Sequence, residues 1–162
     1  MVGSRKKPGA APRYFGAPLV HLEVIEPEQV VTGLVTATAQ EHSENFVEKG
    51  STSLPGDVLF DLGQSTLKTD TEPALAEVAK FLQENPQLNL FVVGHTDNTG
   101  TFVQNSALSL QRAQAVGKAL IERFGISASR LEFHGTGPLA PIATNATEEG
   151  RQLNRRVEFV ER

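Results

Sequence analysis

Residues 88–125 carry the sharpest structural signal in the chain and read LNLFVVGHTDNTGTFVQNSALSLQRAQAVGKALIERFG. The apolar run at 88–94 predicts a buried strand, and the polar segment 94–100, bounded by glycines, is typical of a loop. A long helix is predicted from about Thr101 to Phe124, and Gly125 is placed to end it. The residues expected on its core face recur at helical spacing and are Leu110, Ala113, Gly117, Leu120 and Phe124.

Similar signals organise the rest of residues 57–162, which we interpret as one domain. Residues 58–60 are expected to form a short strand, and a helix is predicted over 70–84, where Asn85-Pro86 ends the apolar periodicity. Residues 130–134 predict a third strand, 135–150 a long loop and 155–160 a final alternating strand. The order β-α-β-α-β-loop-β predicts an α+β sandwich with the helices packed on one mixed sheet.

Residues 1–56 are interpreted as an N-terminal extension of unknown role. Four segments make it up: a Pro/Gly-rich flexible arm at 1–18, two strands at 19–25 and 30–38 around a turn at Glu26-Pro27-Glu28, and a polar linker at 39–57. No apolar run approaches the ~20 residues needed to span a bilayer, and no signal peptide is recognisable. We therefore expect any membrane attachment to come from a segment absent from this chain.

The composition excludes several classes of function. The chain has 162 residues, no cysteine and a formal net charge of −4. Disulfides, thiolate metal sites and a cysteine nucleophile are thereby excluded, and no basic surface stands out for nucleic acid. The histidines show no metal-ligand spacing, and neither a G-x-S-x-G turn nor a phosphate-binding glycine loop is present. We expect neither catalysis nor a metal or cofactor.

A set of short motifs resembles the OmpA-like C-terminal domain, the peptidoglycan-binding domain of OmpA, the peptidoglycan-associated lipoprotein and MotB. None of these motifs is specific alone, but they stand in family order over about residues 57–162. They are Phe60-Asp61 with Ser65 and Leu67, Gly94-His95-Thr96-Asp97 with Gly100, Asn105, Leu108-Ser109, Arg112-Ala113, Arg130-Leu131, Gly135-x-Gly137, Pro141-Ile142-Ala143, Asn145, Thr147, Gly150-Arg151 and Asn154-Arg155-Arg156-Val157. The resemblance implies a periplasmic module, associated with the outer membrane or another envelope membrane, that binds peptidoglycan non-covalently through the diaminopimelate of its stem peptide.

Diaminopimelate ends in a zwitterion, so it requires one partner of each charge. The resemblance implies that Asp97 holds its ammonium and Arg112 its carboxylate, and the planar guanidinium suits a carboxylate. Asn105, Leu108 and Arg112 lie within about 60° on one helix face about 10 Å long, by helix geometry. Leu108 is expected to contact the methylenes, and Thr96 and Asn98 the peptide carbonyls. By resemblance, Phe60 and Asp61 line the same pocket.

Structural alternatives stand beside each of these assignments. Asp97 could cap the helix, Arg112 could be a solvated helix residue, and Asn105 could bond loop carbonyls. Phe60 and Leu108 could be core residues, and His95 is expected to order the loop. Neither Asp97 nor Arg112 is predicted to lie in the core, so the fold should survive the loss of either charge.

Arg155 and Arg156 are expected to point to opposite sides of a strand, so they should not act as one clamp. At least one should pair with an acid such as Glu148, Glu149 or Glu158, and the other could border the glycan or the stem peptide. The alternative function is an OmpA-like fold that binds an envelope protein, with residues 19–56 contributing to that contact.

Overall fold

The structure is a computed structural model that describes residues 30–31 and 34–162, with side chains from residue 36 onward. Its elements in chain order are β1 (Val30–Val31), β2 (Leu34–Val35), α1 (Ala39–Lys49), β3 (Ser51–Pro55), α2 (Gly56–Leu59), α3 (Glu72–Glu84), β4 (Leu90–His95), α4 (Phe102–Phe124), a 3-10 turn (Ala128–Arg130), β5 (Leu131–Gly135), α5 (Glu148–Asn154) and β6 (Arg156–Glu161).

One mixed sheet of four strands organises the fold, in the order β3-β6-β4-β5. Strands β4 and β5 are parallel because the long helix α4 returns the chain between them, whereas β6 pairs antiparallel with both β3 and β4. Apolar side chains on one face of the sheet meet those of the helices in a single core. Its fully buried members include Leu54, Leu75, Val78, Leu82, Leu90, Val92, Val116, Leu120, Val157 and Phe159. The predicted α+β class with helices on a mixed sheet is confirmed.

The linker predicted over 39–57 is wrong. Thr38 and Glu41 form a capping box at the start of α1, and Gly50 ends that helix in the left-handed conformation at φ 70°. Strand β3 follows at once and forms an edge of the sheet beside β6. Polar residues dominate α1, and its buried face carries His42, so helical periodicity in the sequence is weak.

Three other local predictions are also wrong. Residues 58–60 are not a strand, because Gly56–Leu59 is a helical turn and Phe60 forms only an isolated bridge with Leu67. Residues 30–38 are not one strand, because β1 and β2 pair with each other in antiparallel orientation. The loop predicted to end at 150 gives way to α5 at Glu148, capped by the Thr147 side chain. The arm at 1–18, the strand at 19–25 and the turn at 26–28 lie outside the described residues.

Helix α4 lies unusually close to the ends of β4 and β5. A Cβ on Gly94 would overlap the Ser109 carbonyl, and one on Gly135 would overlap the backbone of Leu110. The helix therefore presents Ser109 and Ala113 to the sheet, and Leu110, expected in the core, is 36% exposed instead. This close approach brings the middle of α4 beside the loop that follows β4, where the predicted site residues meet.

Candidate functional site

A cleft of about 200 Å³ opens where the loop after β4, the middle of α4 and the start of α5 converge. Of the predicted site residues, Thr96, Asp97, Asn105, Leu108 and Arg112 line it. Lining residues that the sequence did not indicate are Leu62, Gly63, Thr99, Glu148, Arg151 and Arg155. The cleft thus combines carboxylates and guanidinium groups around a small apolar wall.

Asp97 follows β4 directly, and its carboxylate is fixed on both oxygens. Oδ1 accepts a hydrogen bond from the Thr99 backbone N–H at 2.8 Å, and Oδ2 accepts one from Arg155 Nη1 at 2.7 Å. Burial alone would raise the pKa of Asp97, but the hydrogen bonds from Arg155 and Thr99 outweigh it and hold the pKa below its usual value. Asp97 is therefore an anion at neutral pH.

Arg112 projects from the third turn of α4 and is anchored by backbone carbonyls. Its Nε donates to the Gln64 carbonyl at 2.8 Å, and Nη2 lies 3.4 Å from the Asp61 carbonyl. The Phe60 ring lies beneath the guanidinium, 5.1 Å from its carbon. Burial lowers the pKa of Arg112. No carboxylate of the described residues forms an ion pair with this guanidinium, so its charge is compensated only by dipoles and by more distant acids.

Arg155 is the electrostatic centre of the cleft and ties together three segments distant in sequence. Its Nε and Nη2 form a two-point fork with Asp57 at 2.9 and 2.8 Å, Nη1 binds Asp97, and Nη2 also reaches Glu148 at 2.7 Å. Hydrogen bonding to Asp57, above all, raises the pKa of Arg155. Three carboxylates thus surround a guanidinium, and among residues 36–162 no group of side chains is suited to holding a metal ion.

Comparison with known proteins places this chain in a family, because the OmpA family matches residues 59–155. The chain belongs to the OmpA family. Outer membrane protein Omp38 of Acinetobacter baumannii is 39% identical over 141 residues, which are 87% of this chain and 36% of the relative. This OmpA-family chain therefore spans about a third of the length of that relative. The resemblance found in the sequence is confirmed.

Solved structures share the fold of this OmpA-family chain. The cell wall anchor of the T6SS from Pseudomonas aeruginosa superposes with a TM-score of 0.62 at 29% identity, covering 77% of this chain and 96% of that one. The peptidoglycan-associated lipoprotein from Burkholderia pseudomallei gives 0.58 at 29% identity, covering 72% and 92%. These relatives are an outer membrane protein, a cell wall anchor and a lipoprotein, and none of the three is described as an enzyme. No described helix of this chain combines the length and apolarity of a membrane span.

The remaining predicted site residues of this OmpA-family domain take different positions. Thr96 is buried, and its hydroxyl donates to the Asp97 carbonyl at 2.8 Å. The Asn105 amide donates to the Thr99 carbonyl at 2.9 Å, which is the loop contact considered as an alternative. Asn98 is exposed and does not line the cleft. Phe60 is a core residue, and the exposed Asp61 side chain faces neighbouring hollows instead.

The expectation that Asp97 and Arg112 lie outside the core is wrong. Only 6% of Asp97 and 4% of Arg112 is exposed. The loop after β4 encloses Asp97 and donates a hydrogen bond to it from Thr99. The segment at 61–64 covers Arg112. Because both charges are desolvated and held in place, substitutions at these positions affect stability as well as any ligand contact.

The two arginines near the C-terminus have different partners, but strand alternation is not the reason, because Arg155 is the C-terminal cap of α5 and only Arg156 belongs to β6. Arg156 pairs with Glu158 at 3.3 Å and Arg155 with Glu148, so the predicted pairing with acids is confirmed. The sequence left open which of the two arginines would border a ligand, and the structure places Arg155 in the cleft. Its main partner, Asp57, lies 98 positions away in sequence, and no local pattern links the two.

His95 stabilises the end of β4 next to the cleft. Its Nδ1 lies 2.9 Å from the Thr136 hydroxyl, and Nε2 lies 3.0 Å from the Glu158 carboxylate. The Thr96 N–H donates to the Gly137 carbonyl at 2.9 Å. These contacts fasten the loop after β5 to the residue that precedes Asp97.

Proposed function

We propose that this domain binds peptidoglycan non-covalently through the diaminopimelate of its stem peptide and so ties an envelope protein to the wall. The observation that carries the proposal is the pair of buried opposite charges, Asp97 and Arg112, in one cleft of about 200 Å³. A zwitterion is the ligand that such a pair suits best. The likeness to a cell wall anchor and to a peptidoglycan-associated lipoprotein supports the same function.

Arg112 supplies the partner for the ligand carboxylate. Its guanidinium is already desolvated and oriented by the Gln64 and Asp61 carbonyls and by the Phe60 ring. A carboxylate that enters the cleft would gain a charge-assisted hydrogen bond without first displacing a protein carboxylate. The preorganised guanidinium therefore lowers the cost of ordering on binding.

Asp97 supplies the partner for the ligand ammonium. Each carboxylate oxygen has two acceptor positions, and the Thr99 and Arg155 contacts use one on each. The Arg155 charge does not cancel that of Asp97, because Arg155 also faces Asp57 and Glu148. The three carboxylates around Arg155 outnumber its single positive charge, and Arg112 and Arg151 bring the cleft as a whole to charge balance, so groups of both signs are present for a zwitterion.

Other cleft residues complete the proposed ligand contacts. Leu108 is half-buried in the wall and would contact the diaminopimelate methylenes. Thr96 and Asn105 mainly position the loop, and Phe60 and Asp61 support Arg112 from below. Asn98 is exposed near the rim, where it could reach a peptide carbonyl of a longer ligand.

We propose a binding module and not an enzyme. A general acid for glycan hydrolysis needs a raised carboxyl pKa, but the pKa values of Asp97 and Glu148 are both lowered, chiefly through their hydrogen bonds to Arg155. No cofactor is required for the proposed contacts. Peptidoglycan as ligand implies a periplasmic location.

Co-sedimentation with isolated sacculi tests this function. We expect the intact chain to pellet with sacculi that contain diaminopimelate and to be released by excess stem peptide. Asp97→Asn and Arg112→Gln should stay in the supernatant, whereas Arg123→Gln, which changes a half-exposed arginine of the same helix away from the cleft, should pellet normally. Failure of the folded, intact chain to pellet would contradict the proposal and favour a protein partner.

A further inference from the structure

A second hollow of about 370 Å³ adjoins the cleft. The two share Leu62, Glu148 and Arg155 as a common ridge, and Lys68 and Gln152 lie on the far side. Leu62 is 78% exposed, and the side chain of Glu148 is 62% exposed, so the ridge stands open to solvent. A chain that leaves the cleft over this ridge enters the second hollow directly.

Some of the charged side chains that line this second hollow are paired with each other, and one, Lys68, forms no ion pair with a described residue. Arg155 forms ion pairs with the carboxylates of Asp57 and Glu148. Lys68 is half-buried, and its ammonium donates to the Asp57 carbonyl at 3.2 Å, with no carboxylate of the described residues at ion-pair distance. The hollow therefore presents a cation with unused donors, since an ammonium has three. The Asp61 carboxylate also faces the hollow but is exposed, so water and salt screen its repulsion of an anion.

We propose that this hollow is a second subsite for the stem peptide, in which Lys68 binds a carboxylate of a residue flanking diaminopimelate. The inference rests on the proposed function, since the cleft has room for the zwitterionic end of one residue, and the peptide main chain must then cross the rim. Two flanking residues of a stem can carry such a carboxylate. They are the D-glutamate, whose α-carboxylate is left free by its γ-linkage, and the terminal D-alanine.

The consequence is selectivity for the chemical state of the stem. Amidation of the flanking carboxylate would remove the charge that Lys68 recognises while leaving the diaminopimelate end unchanged. Binding through Arg112 and Asp97 would persist, so amidated and free stems should differ in affinity and not in stoichiometry.

Calorimetric titration with three tetrapeptide stems tests the inference. One is unmodified, one is amidated on the D-glutamate α-carboxylate, and one is amidated on the D-alanine. For the intact chain we expect amidation at one of the two positions to weaken binding roughly two- to fivefold, as for a partly exposed charge pair. The amidation that weakens binding identifies which carboxylate lies in the hollow.

Lysine variants give the decisive comparison. Lys68→Gln should bind the unmodified stem as weakly as the intact chain binds the amidated one, and it should no longer respond to amidation. Lys68→Arg should keep the response, and Lys118→Gln, an exposed position on α4, should match the intact chain. Equal affinity of all three stems for the intact chain, or an amidation effect that persists in Lys68→Gln, would overturn the subsite while leaving the proposed function in place. If the intact chain binds none of the stems, both inferences fail.

Discussion

Replacement of Arg155 by alanine should destabilise the domain strongly, because this side chain holds three carboxylates together. Its side chain is only 6% exposed and forms the two-point fork with Asp57 and the 2.7 Å bond to Asp97. Without it, the Asp97 carboxylate, in a side chain that is almost fully buried, keeps only its hydrogen bonds from Thr99. Removal of one partner from a buried ion pair costs about 3–5 kcal/mol.

The lower end of that range applies here, since the Asp57 side chain is 29% exposed and can regain water. We therefore expect Arg155→Ala to lose about 3 kcal/mol of unfolding free energy. Glu148→Ala should change stability little, because the Glu148 side chain is 62% exposed. Asp97→Asn should fall between the two, because Arg155 then keeps its other partners.

Urea unfolding followed by far-ultraviolet circular dichroism measures these differences, and the chain has no tryptophan to provide an alternative signal. Equal m-values among the variants would show that the unfolding reaction is the same. If Arg155→Ala lost less than about 1 kcal/mol of unfolding free energy, the buried ion pairs of Arg155 would not hold the cleft together. The same conclusion would follow if Glu148→Ala lost as much unfolding free energy as Arg155→Ala.

Three further predictions concern packing and pH. Gly94→Ala should separate β4 from α4, because its Cβ would overlap the Ser109 carbonyl. Thermal melting should show a markedly lower Tm than for Gly50→Ala, whose Cβ meets no atom and which costs only the strain of a left-handed alanine, about 1–2 kcal/mol. Burial above all lowers the pKa of His42 to about 4, so the folded state resists protonation and stability falls as pH drops below 6.5. In urea titrations, the unfolding free energy of the intact chain minus that of His42→Gln should fall by about 3 kcal/mol between pH 7.5 and 4. If this difference did not change with pH, His42 would not be a buried neutral imidazole. The pKa of Asp97 is lowered, so stem-peptide binding should persist at pH 5 and fail only at more acidic pH. Loss of binding already at pH 6 in calorimetry would count against Asp97 as the partner of the ligand ammonium.

Local sequence signals were sufficient where one apolar face dominates an element. Strand β4 is a continuous apolar run, and α4 has Thr101 as a capping residue and Gly125 as a stop, so the bounds of both were predicted to within two residues. Helices α1 and α5 escaped prediction because their buried faces carry His42, Gly150 and Asn154 in place of large apolar side chains. Strand β3 is short and polar, and only its pairing with β6 makes it part of the sheet.

The site residues also fall into those that the sequence predicts and those that only the tertiary structure brings together. Asp97 and Arg112 stand out because a loop acid and a helix arginine fit a zwitterion, and the resemblance names both positions. The Asp57–Arg155–Asp97 network joins residues far apart in sequence, and tertiary structure alone brings them together. Burial of Asp97 and Arg112 was missed for the same reason, since long-range contacts cover both side chains.

Calorimetric titration of the intact chain with a stem peptide that contains diaminopimelate tests whether the cleft binds this zwitterion. The same peptide with lysine in its place, which lacks the far carboxylate, is the matched ligand. We expect saturable one-to-one binding of the first, weaker binding of the second, and a loss of roughly 2–5 kcal/mol for Asp97→Asn and for Arg112→Gln, each shown to be folded. No binding by the folded intact chain, or equal binding of the two peptides, would contradict the claim that the cleft recognises the diaminopimelate zwitterion.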